Sequence, residues 1–212
     1  MAANLRQLLI QRAARLQGRP ALTAPDWGTF SHGAWRNRVE GVALGILAAE
    51  APPSAVFSRT GTAWDWAAEV AAACAGLRWD PAAEPVDPAV LGGPRFNDEH
   101  GRRPYHDRED SLDAGSAFTG GLSQGELMLR LQRGNRRLGW DHGTVLRLPL
   151  AALPTPEGRA ALWNLLYAGG HAVLEPAGAA PAKGLRALFR RGPVLQPGEV
   201  AWEPETFAGF WD

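Results

Sequence analysis

Helix-like and strand-like segments alternate through the first 80 residues, and this alternation constrains the fold more than any other feature. Apolar residues recur at helical spacing from Leu5 to Leu16, and two short strand-like runs, PALTA and GTFS, follow around a turn. Ser31 is placed to cap a second helix, SAVFSRT has the composition of a buried strand, and Thr62 is placed to cap a third helix. Alternation of this kind predicts α/β units on a mostly parallel sheet.

The regularity is lost between residues 81 and 113, where Pro, Gly and charged residues dominate. Such composition is typical of a long loop or linker. Beyond it the sequence predicts a strand in LDAGSAF, a helix from Ser123 to Leu138, the strands TVLRLPL and HAVLEP, the helices TPEGRAALWNLLYAGG and KGLRALFRRG, and an extended tail held by aromatic residues. We predict an α/β half over 1–80, a linker over 81–113 and a second α/β half over 114–212, together one compact three-layer α/β/α domain with a mostly parallel sheet.

Charge and hydropathy exclude several classes of partner. The 212 residues carry 22 Lys+Arg and 22 Asp+Glu, so no net field recruits nucleic acid or an anionic membrane. No apolar run is long enough to span a membrane, and Arg6, Arg12 and Arg15 interrupt the apolar part of the N-terminus, unlike a signal peptide. We therefore expect a cytoplasmic protein with neither nucleic acid nor membrane as partner. The preference for arginine over lysine is typical of a GC-rich bacterial source.

The cysteine and the histidines do not indicate a catalytic or metal site. Cys74 is the only cysteine and lies in the apolar run AEVAAACAGL, which predicts a small buried residue and excludes a disulfide framework. The segment NDEHGRRPYHDRED gathers histidines and acids, but their spacing fits no metal motif and arginines compete as ion-pair partners. We expect a charge-paired loop, no metal site and no catalytic set. The histidines and acids are Asp98, Glu99, His100, His106, Asp107, Glu109 and Asp110.

The run Ser58–Thr62 ends a strand and begins a helix, which is where α/β proteins bind ligands. Its hydroxyl groups and Arg59 could meet an anion. Alternatively Thr62 is only a helix cap, and we favour that interpretation.

Nine tryptophans are many for a chain of this length. They form either a partner-binding patch or a core rich in aromatic rings, and the sequence favours neither. They lie at positions 27, 35, 64, 66, 79, 140, 163, 202 and 211.

The stretch SAFTGGLSQGELM has the hydroxyls, glycines and following helix of a phosphate-binding loop, but no lysine. A second interpretation needs no ligand: Gly120 and Gly121 form a turn, and Ser123 with Glu126 forms a capping box at a helix start. We favour the turn and cap. Weak anion binding at the helix N-terminus is the alternative.

The order of these elements resembles the adenylate-forming superfamily, which includes the acyl-CoA synthetases. The resembling segments are Pro20–Leu22, Phe30–Ser31, Arg38–Leu47, Trp66–Pro81 and, later, VLRLPLAALPTPEGRAALWNLLYAGGHAVLEP. The resemblance covers most of Leu5 to Pro176 and implies the fold of the superfamily's N-terminal subdomain.

The resemblance places the family's phosphate loop, T-S-G-T-T-G-x-P-K-G, on the same stretch. It puts Gln124 at the lysine and Phe118 at a glycine, and a family histidine falls on Ala152. Glutamine supplies no positive charge to the ATP phosphates. A phenylalanine in place of a glycine restricts how closely the loop backbone can approach those phosphates. The implied ligand is ATP or AMP, and the implied binding residues are Ser116, Thr119, Gly120, Gly121, Ser123 and Gln124.

The family's adenine-binding segment, Mg²⁺-binding motif and catalytic C-terminal domain have no counterpart in this sequence. We therefore expect a catalytically degenerate binding, regulatory or scaffold protein that associates with itself or with a protein partner. The alternative is a minimal or split AMP-forming acid–CoA ligase, similar to o-succinylbenzoate–CoA ligases, which a partner subunit completes.

Overall fold

The computed structural model describes residues 4–48, 52–87, 105–108, 112–176, 198–200 and 202–212. Five α-helices lie wholly in these ranges: α1 (Leu5–Leu16), α2 (His32–Leu47), α3 (Ala63–Cys74), α4 (Gln124–Leu138) and α5 (Pro156–Ala168). Residues 105–107 are also helical. Short 3₁₀ helices cover Leu150–Ala152 and Pro204–Phe207. The strands are β1 (Pro20–Ala24), β2 (Gly28–Ser31), β3 (Ala55–Val56), β4 (Arg78–Trp79), β5 (Ala117–Thr119), β6 (Leu122–Ser123), β7 (Val145–Pro149), β8 (His171–Glu175) and β9 (Glu199–Val200).

The strands form two sheets, and both combine strands from early and late in the chain. The first has the order β2-β1-β8-β7-β9 and the second β3-β4-β5-β6. Only the hairpins β1–β2 and β5–β6 are antiparallel among these pairs. The predicted α/β class with mostly parallel strands is confirmed. The division into 1–80, 81–113 and 114–212 stays a prediction.

Helices α3 and α5 lie between the two sheets. Helix α3 is almost wholly buried and packs against β3 and β4, while its Trp66 meets Trp163 of α5 edge to face at 5.0 Å. Trp163 in turn meets Phe118 of β5 at 5.6 Å, and α5 also contacts β8 of the other sheet. Small residues make this layer possible, because alanines dominate α3 and let its neighbours approach closely.

The helix boundaries follow the predicted caps. The side chains of Ser31, Thr62 and Thr155 each accept a backbone hydrogen bond at the start of α2, α3 and α5. Pro156 opens α5, and Gly169 ends it in the left-handed conformation. The predicted strands PALTA and GTFS and the predicted helices are confirmed at these positions.

Four segments differ from the prediction or lie outside the described residues. In LDAGSAF only Ala117 and Phe118 lie in a strand, because the N–H of Ser116 bonds to the carbonyl of Asp113 and closes a turn. In SAVFSRT only Ala55–Val56 is a strand, because the N–H groups of Thr60 and Gly61 bond to Asp65 instead of a neighbouring strand. The tail is docked by its aromatic rings as predicted, but Pro204–Phe207 is a 3₁₀ helix and not extended. KGLRALFRRG lies outside the described residues.

Among the described residues, no helix combines the length and the apolar character needed to cross a bilayer. All nine tryptophans are buried or partly buried against the core, which supports the aromatic-core interpretation.

Candidate functional site

A cavity of about 260 Å³ lies at the carboxyl ends of β3 and β4, between α3 and the start of α5. Phe57, Ser58 and Arg59 follow β3, and Pro81 follows β4. Leu153 and Pro154, which precede α5, complete the wall. The carboxyl ends of parallel strands are where α/β proteins bind ligands, so we take this cavity as the candidate site.

A buried ion pair between Glu69 of α3 and Arg159 of α5 forms part of its lining. The Nε and Nη2 atoms of Arg159 each donate a 2.8 Å hydrogen bond to Glu69, one to each carboxylate oxygen. The indole Nε1 of Trp163 donates a third, at 2.7 Å. The two charged side chains are only 3% and 11% exposed, so solvent screens this pair weakly.

Arg159 also links the cavity to β5 and to the tail. Its Nη2 donates a 3.2 Å hydrogen bond to the hydroxyl of Thr119. Its guanidinium lies 4.7 Å from the ring centre of Trp211 and 5.8 Å from that of Trp79. Within the described part of the chain, no residue accepts a hydrogen bond from its Nη1 atom.

A second carboxylate, Asp65, organises the loop after β3. It accepts hydrogen bonds from the hydroxyls of Ser58 and Thr60 at 2.7 and 2.9 Å and from the backbone N–H groups of Thr60 and Gly61 at 2.7 and 2.8 Å. These are the groups that could have met an external anion. Thr62 caps α3 by accepting from the N–H of Trp64, as the favoured interpretation predicts.

The candidate phosphate loop is a tight β-hairpin. Thr119 pairs with Leu122 across Gly120 and Gly121, whose φ angles are +55° and +82°. Positive φ at both central residues is the type I′ pattern, which explains why both are glycine. Ser116 lies before the hairpin, and its hydroxyl bonds to the carboxylate of Asp113 at 3.3 Å.

The end of the candidate loop is a helix start held by internal contacts. Ser123 and Glu126 form the predicted capping box of α4. Gln124 is fully buried; its carbonyl accepts from the N–H of Leu5 at 3.0 Å, and its amide donates to the carbonyl of Ala73 at 2.8 Å. Of the six predicted nucleotide-binding residues, Thr119 contacts Arg159 of the cavity, whereas Gln124 bonds to α1 and α3. Their nucleotide-binding role stays a prediction.

The remaining reactive groups are buried structural residues. Burial raises the pKa of the Cys74 thiol to about 12, so it stays protonated and unreactive near neutral pH. Burial lowers the pKa of His32 and of His171, whose Nε2 atoms lie 3.1 Å from the carbonyl of Gly169 and 2.8 Å from the hydroxyl of Thr23. Neither contact involves an acidic side chain, and the Thr23 hydroxyl also lies 2.9 Å from the hydroxyl of Thr29.

The described residues contain no group of three or more His, Cys, Asp or Glu side chains placed to hold a metal. Of the acidic and histidine segment, His106 and Asp107 are described. Asp98, Glu99, His100, Glu109 and Asp110 lie outside the described residues.

Sequence reasoning missed Glu69 and Arg159. A signal was present, because AWDWAAEVAAAC and PEGRAALWNLLYA are mainly apolar helices, and each carries only one charge besides the acidic residue of its first turn. A buried charge needs a partner of opposite sign, and these two residues supply one to each other.

No protein-family model matches the sequence, and no curated protein matches it. Solved structures do. A fatty acyl-adenylate ligase from L. pneumophila matches with a TM-score of 0.61 at 13% identity, covering 82% of this chain and 40% of the ligase. The o-succinylbenzoate CoA synthetase of Bacillus subtilis matches at 0.56 and 14%, covering 82% and 44%. The N-terminal subdomain of Klebsiella oxytoca NpsA matches at 0.54 and 14%, covering 88% and 56%.

This is the N-terminal subdomain fold of the adenylate-forming enzymes. The expected resemblance is confirmed at the level of the fold. The chain corresponds to roughly half the length of the structures that it matches. Function has to be argued from the site, because one fold supports many activities.

Proposed function

We propose that this adenylate-forming-like chain is catalytically degenerate and acts as a binding or regulatory protein. The observation that carries the proposal is Gln124. The resemblance places it where the family has its phosphate-loop lysine, and both polar atoms of its amide are used in buried hydrogen bonds to α1 and α3.

Turning the side chain of Gln124 toward a nucleotide would cost free energy, because its buried hydrogen bonds would be broken. Releasing it would leave the N–H of Leu5 without this acceptor, which costs about 1–3 kcal/mol for a buried group. The carbonyl of Ala73 would lose the amide of Gln124 and keep the longer hydrogen bond from the N–H of Gly76. A neutral amide would then offer no positive charge to a phosphate. This supports a structural role for the residue.

The residue at the position of the family histidine, Ala152, also argues against adenylation. Ala152 is buried within a 3₁₀ turn and carries a methyl group, which can neither move a proton nor donate a hydrogen bond. Nearby Leu153 and Pro154 contribute apolar surface to the cavity. Gln124 and Ala152 therefore supply neither the lysine nor the histidine that the family uses, which supports a binding role over adenylation.

Calorimetric titration and thermal shift with ATP·Mg²⁺, AMP and CoA test the proposal, with AMP formation assayed in parallel. A ligand that binds only the folded state raises the melting temperature with its concentration. We expect no saturable shift with millimolar ATP·Mg²⁺ and no AMP. A saturable ATP shift that Thr119→Ala abolishes, or any AMP formation that this variant abolishes, would contradict the proposal.

A second candidate is an acid–CoA ligase completed by a partner subunit. It is favoured by the match to the o-succinylbenzoate CoA synthetase, more than half of which has no counterpart in this sequence. Light scattering on the purified protein would establish whether it associates with itself. AMP formation from o-succinylbenzoate, ATP and CoA only in a complex purified from the source cells would favour this candidate.

A further inference from the structure

We propose that the cavity at β3, β4 and α5 binds a small, uncharged, planar molecule with one hydrogen-bond acceptor, and discriminates against acids and phosphates. The inference deepens the proposed function by naming the ligand class of a non-adenylating site. It rests on the cavity's size, on its internal charge pairing and on its aromatic walls.

The size of the cavity fixes the scale of the ligand. An apolar cavity of about 150 Å³ is enough to hold benzene. The present cavity, at about 260 Å³, therefore has room for one aromatic ring with a small substituent. It is too small for a nucleotide to be enclosed.

The cavity's carboxylates already have partners within the protein. Glu69 accepts three hydrogen bonds, two of them from Arg159. Asp65 accepts four from the loop after β3. With Arg59, the charged groups of the lining are two cations and two anions, so they sum to zero.

This pairing penalises a charged ligand of either sign. An anion could use the Nη1 donor of Arg159, but Glu69 already neutralises the charge of that guanidinium, and the anion would share the cavity with two carboxylates. A cation would find both carboxylates engaged and would face two arginines. Because Glu69 and Arg159 are almost completely buried, water would relieve little of that cost.

A neutral ring meets complementary walls instead. Phe57 and Trp79 lie with ring centres 5.4 Å apart, and Trp66, Leu153 and Pro154 add apolar surface. Such surfaces favour a flat apolar ligand. The Nη1 atom of Arg159, which has no acceptor among the described residues, provides a hydrogen bond for a carbonyl or hydroxyl on the ligand.

Benzamide and benzoate form a matched pair of probes, because they share a shape and differ in charge. We expect calorimetric titration of the full chain to give saturable benzamide binding with a Kd of roughly 1 mM or tighter. Benzoate should bind at least about tenfold more weakly. Equal or tighter benzoate binding, or no benzamide binding up to about 10 mM, would overturn the inference.

Glu69→Gln tests the cause of the selectivity. The substitution retains an amide oxygen for Arg159 and removes the internal negative charge. We expect the preference for benzamide over benzoate to fall by about tenfold or more, with benzoate gaining affinity. An unchanged preference in a folded variant would show that internal pairing does not set it.

Pro154→Trp tests the location without disturbing the ion pair, because Pro154 is an exposed residue of the cavity wall. The added ring should abolish benzamide binding. Leu129→Trp, at an exposed position of α4, is the matched control and should leave it unchanged. Benzamide binding unaffected by Pro154→Trp would place the ligand elsewhere. The ATP titration is separate, so saturable ATP binding would remove the proposed function without touching the selectivity between the two probes.

Discussion

The side-chain carbonyl of Gln124 accepts a 3.0 Å hydrogen bond from the backbone N–H of Leu5, although the two residues are 119 positions apart. That N–H is one of the first four of α1, which have no partner within their own helix. The side chain that begins α4 therefore also completes the start of α1. The residue that the resemblance places at the lysine of the family's phosphate loop thus caps a distant helix.

Replacing Gln124 by lysine should destabilise the fold without creating a nucleotide site. The lysine removes the acceptor of Leu5 N–H and puts a charge into a fully buried position. We expect a loss of about 2–5 kcal/mol in the free energy of unfolding, measured by urea titration. Glu126→Gln, at the exposed capping box, is the control and should cost about 1 kcal/mol or less. A stable variant that binds ATP would contradict both the structural role and the proposed function.

Replacing Glu69 by alanine should be among the most damaging single changes in the chain. It leaves the guanidinium of Arg159 buried without its counter-ion and Trp163 Nε1 without its acceptor. We expect a loss of about 3–5 kcal/mol in the free energy of unfolding. The double variant Glu69→Leu/Arg159→Met should recover about half of that loss or more, because no unpaired charge remains. Losses that simply add in a double-mutant cycle would rule out coupling.

Gly134 should not tolerate a methyl group. A Cβ atom built there would lie 2.4 Å from the side-chain oxygen of Asn164 on α5, which is closer than van der Waals contact permits. Asn164 cannot easily withdraw, because its own amide donates to Ala160 and it accepts from Asn135. We expect Gly134→Ala to cost about 1–3 kcal/mol in thermal or urea unfolding. Gly18→Ala, where a Cβ meets nothing within 4 Å, should be close to neutral.

Stability should fall as the pH is lowered from 7 toward 5. Burial lowers the pKa of His32 and of His171 below the ordinary value of 6.5, so the unfolded chain takes up protons that the folded chain resists. The stability that the neutral histidines contribute is therefore fully present above about pH 6.5, and it is lost as the pH falls toward their pKa values in the folded protein. Glu126 acts in a lower window, because hydrogen bonds from Ser123 depress its pKa below 4.5.

Urea titrations between about pH 5 and pH 8 would measure this dependence. The double variant His32→Gln/His171→Gln should show a flatter profile between about pH 5 and 6.5. A wild-type profile that is already flat there would contradict the assignment to the two histidines.

Local signals predicted much of the fold. PALTA and GTFS are the strands β1 and β2, and Ser31, Thr62 and Ser123 cap the helices that follow them. These features depend on near neighbours in the sequence, so the sequence alone contains the needed information.

The candidate site depends on tertiary pairing that no local pattern records. Glu69 and Arg159 are 90 positions apart, and only the packing of α3 against α5 between two sheets brings them into contact. The early end of β3 has the same origin, since Asp65 captures the N–H groups that would otherwise extend the strand. In both cases the sequence does not reveal which groups a buried carboxylate contacts in the folded protein.

The construction of both sheets from strands of both halves has a consequence for synthesis of the protein. Leu22 of β1 pairs with Ala172 of β8, so the central strands of the first sheet cannot pair until Ala172 has left the ribosome. Contacts of such long sequence separation slow folding and prolong the exposure of apolar strands. We therefore expect the N-terminal strands to stay exposed until that point, when chaperone binding would compete with misassociation.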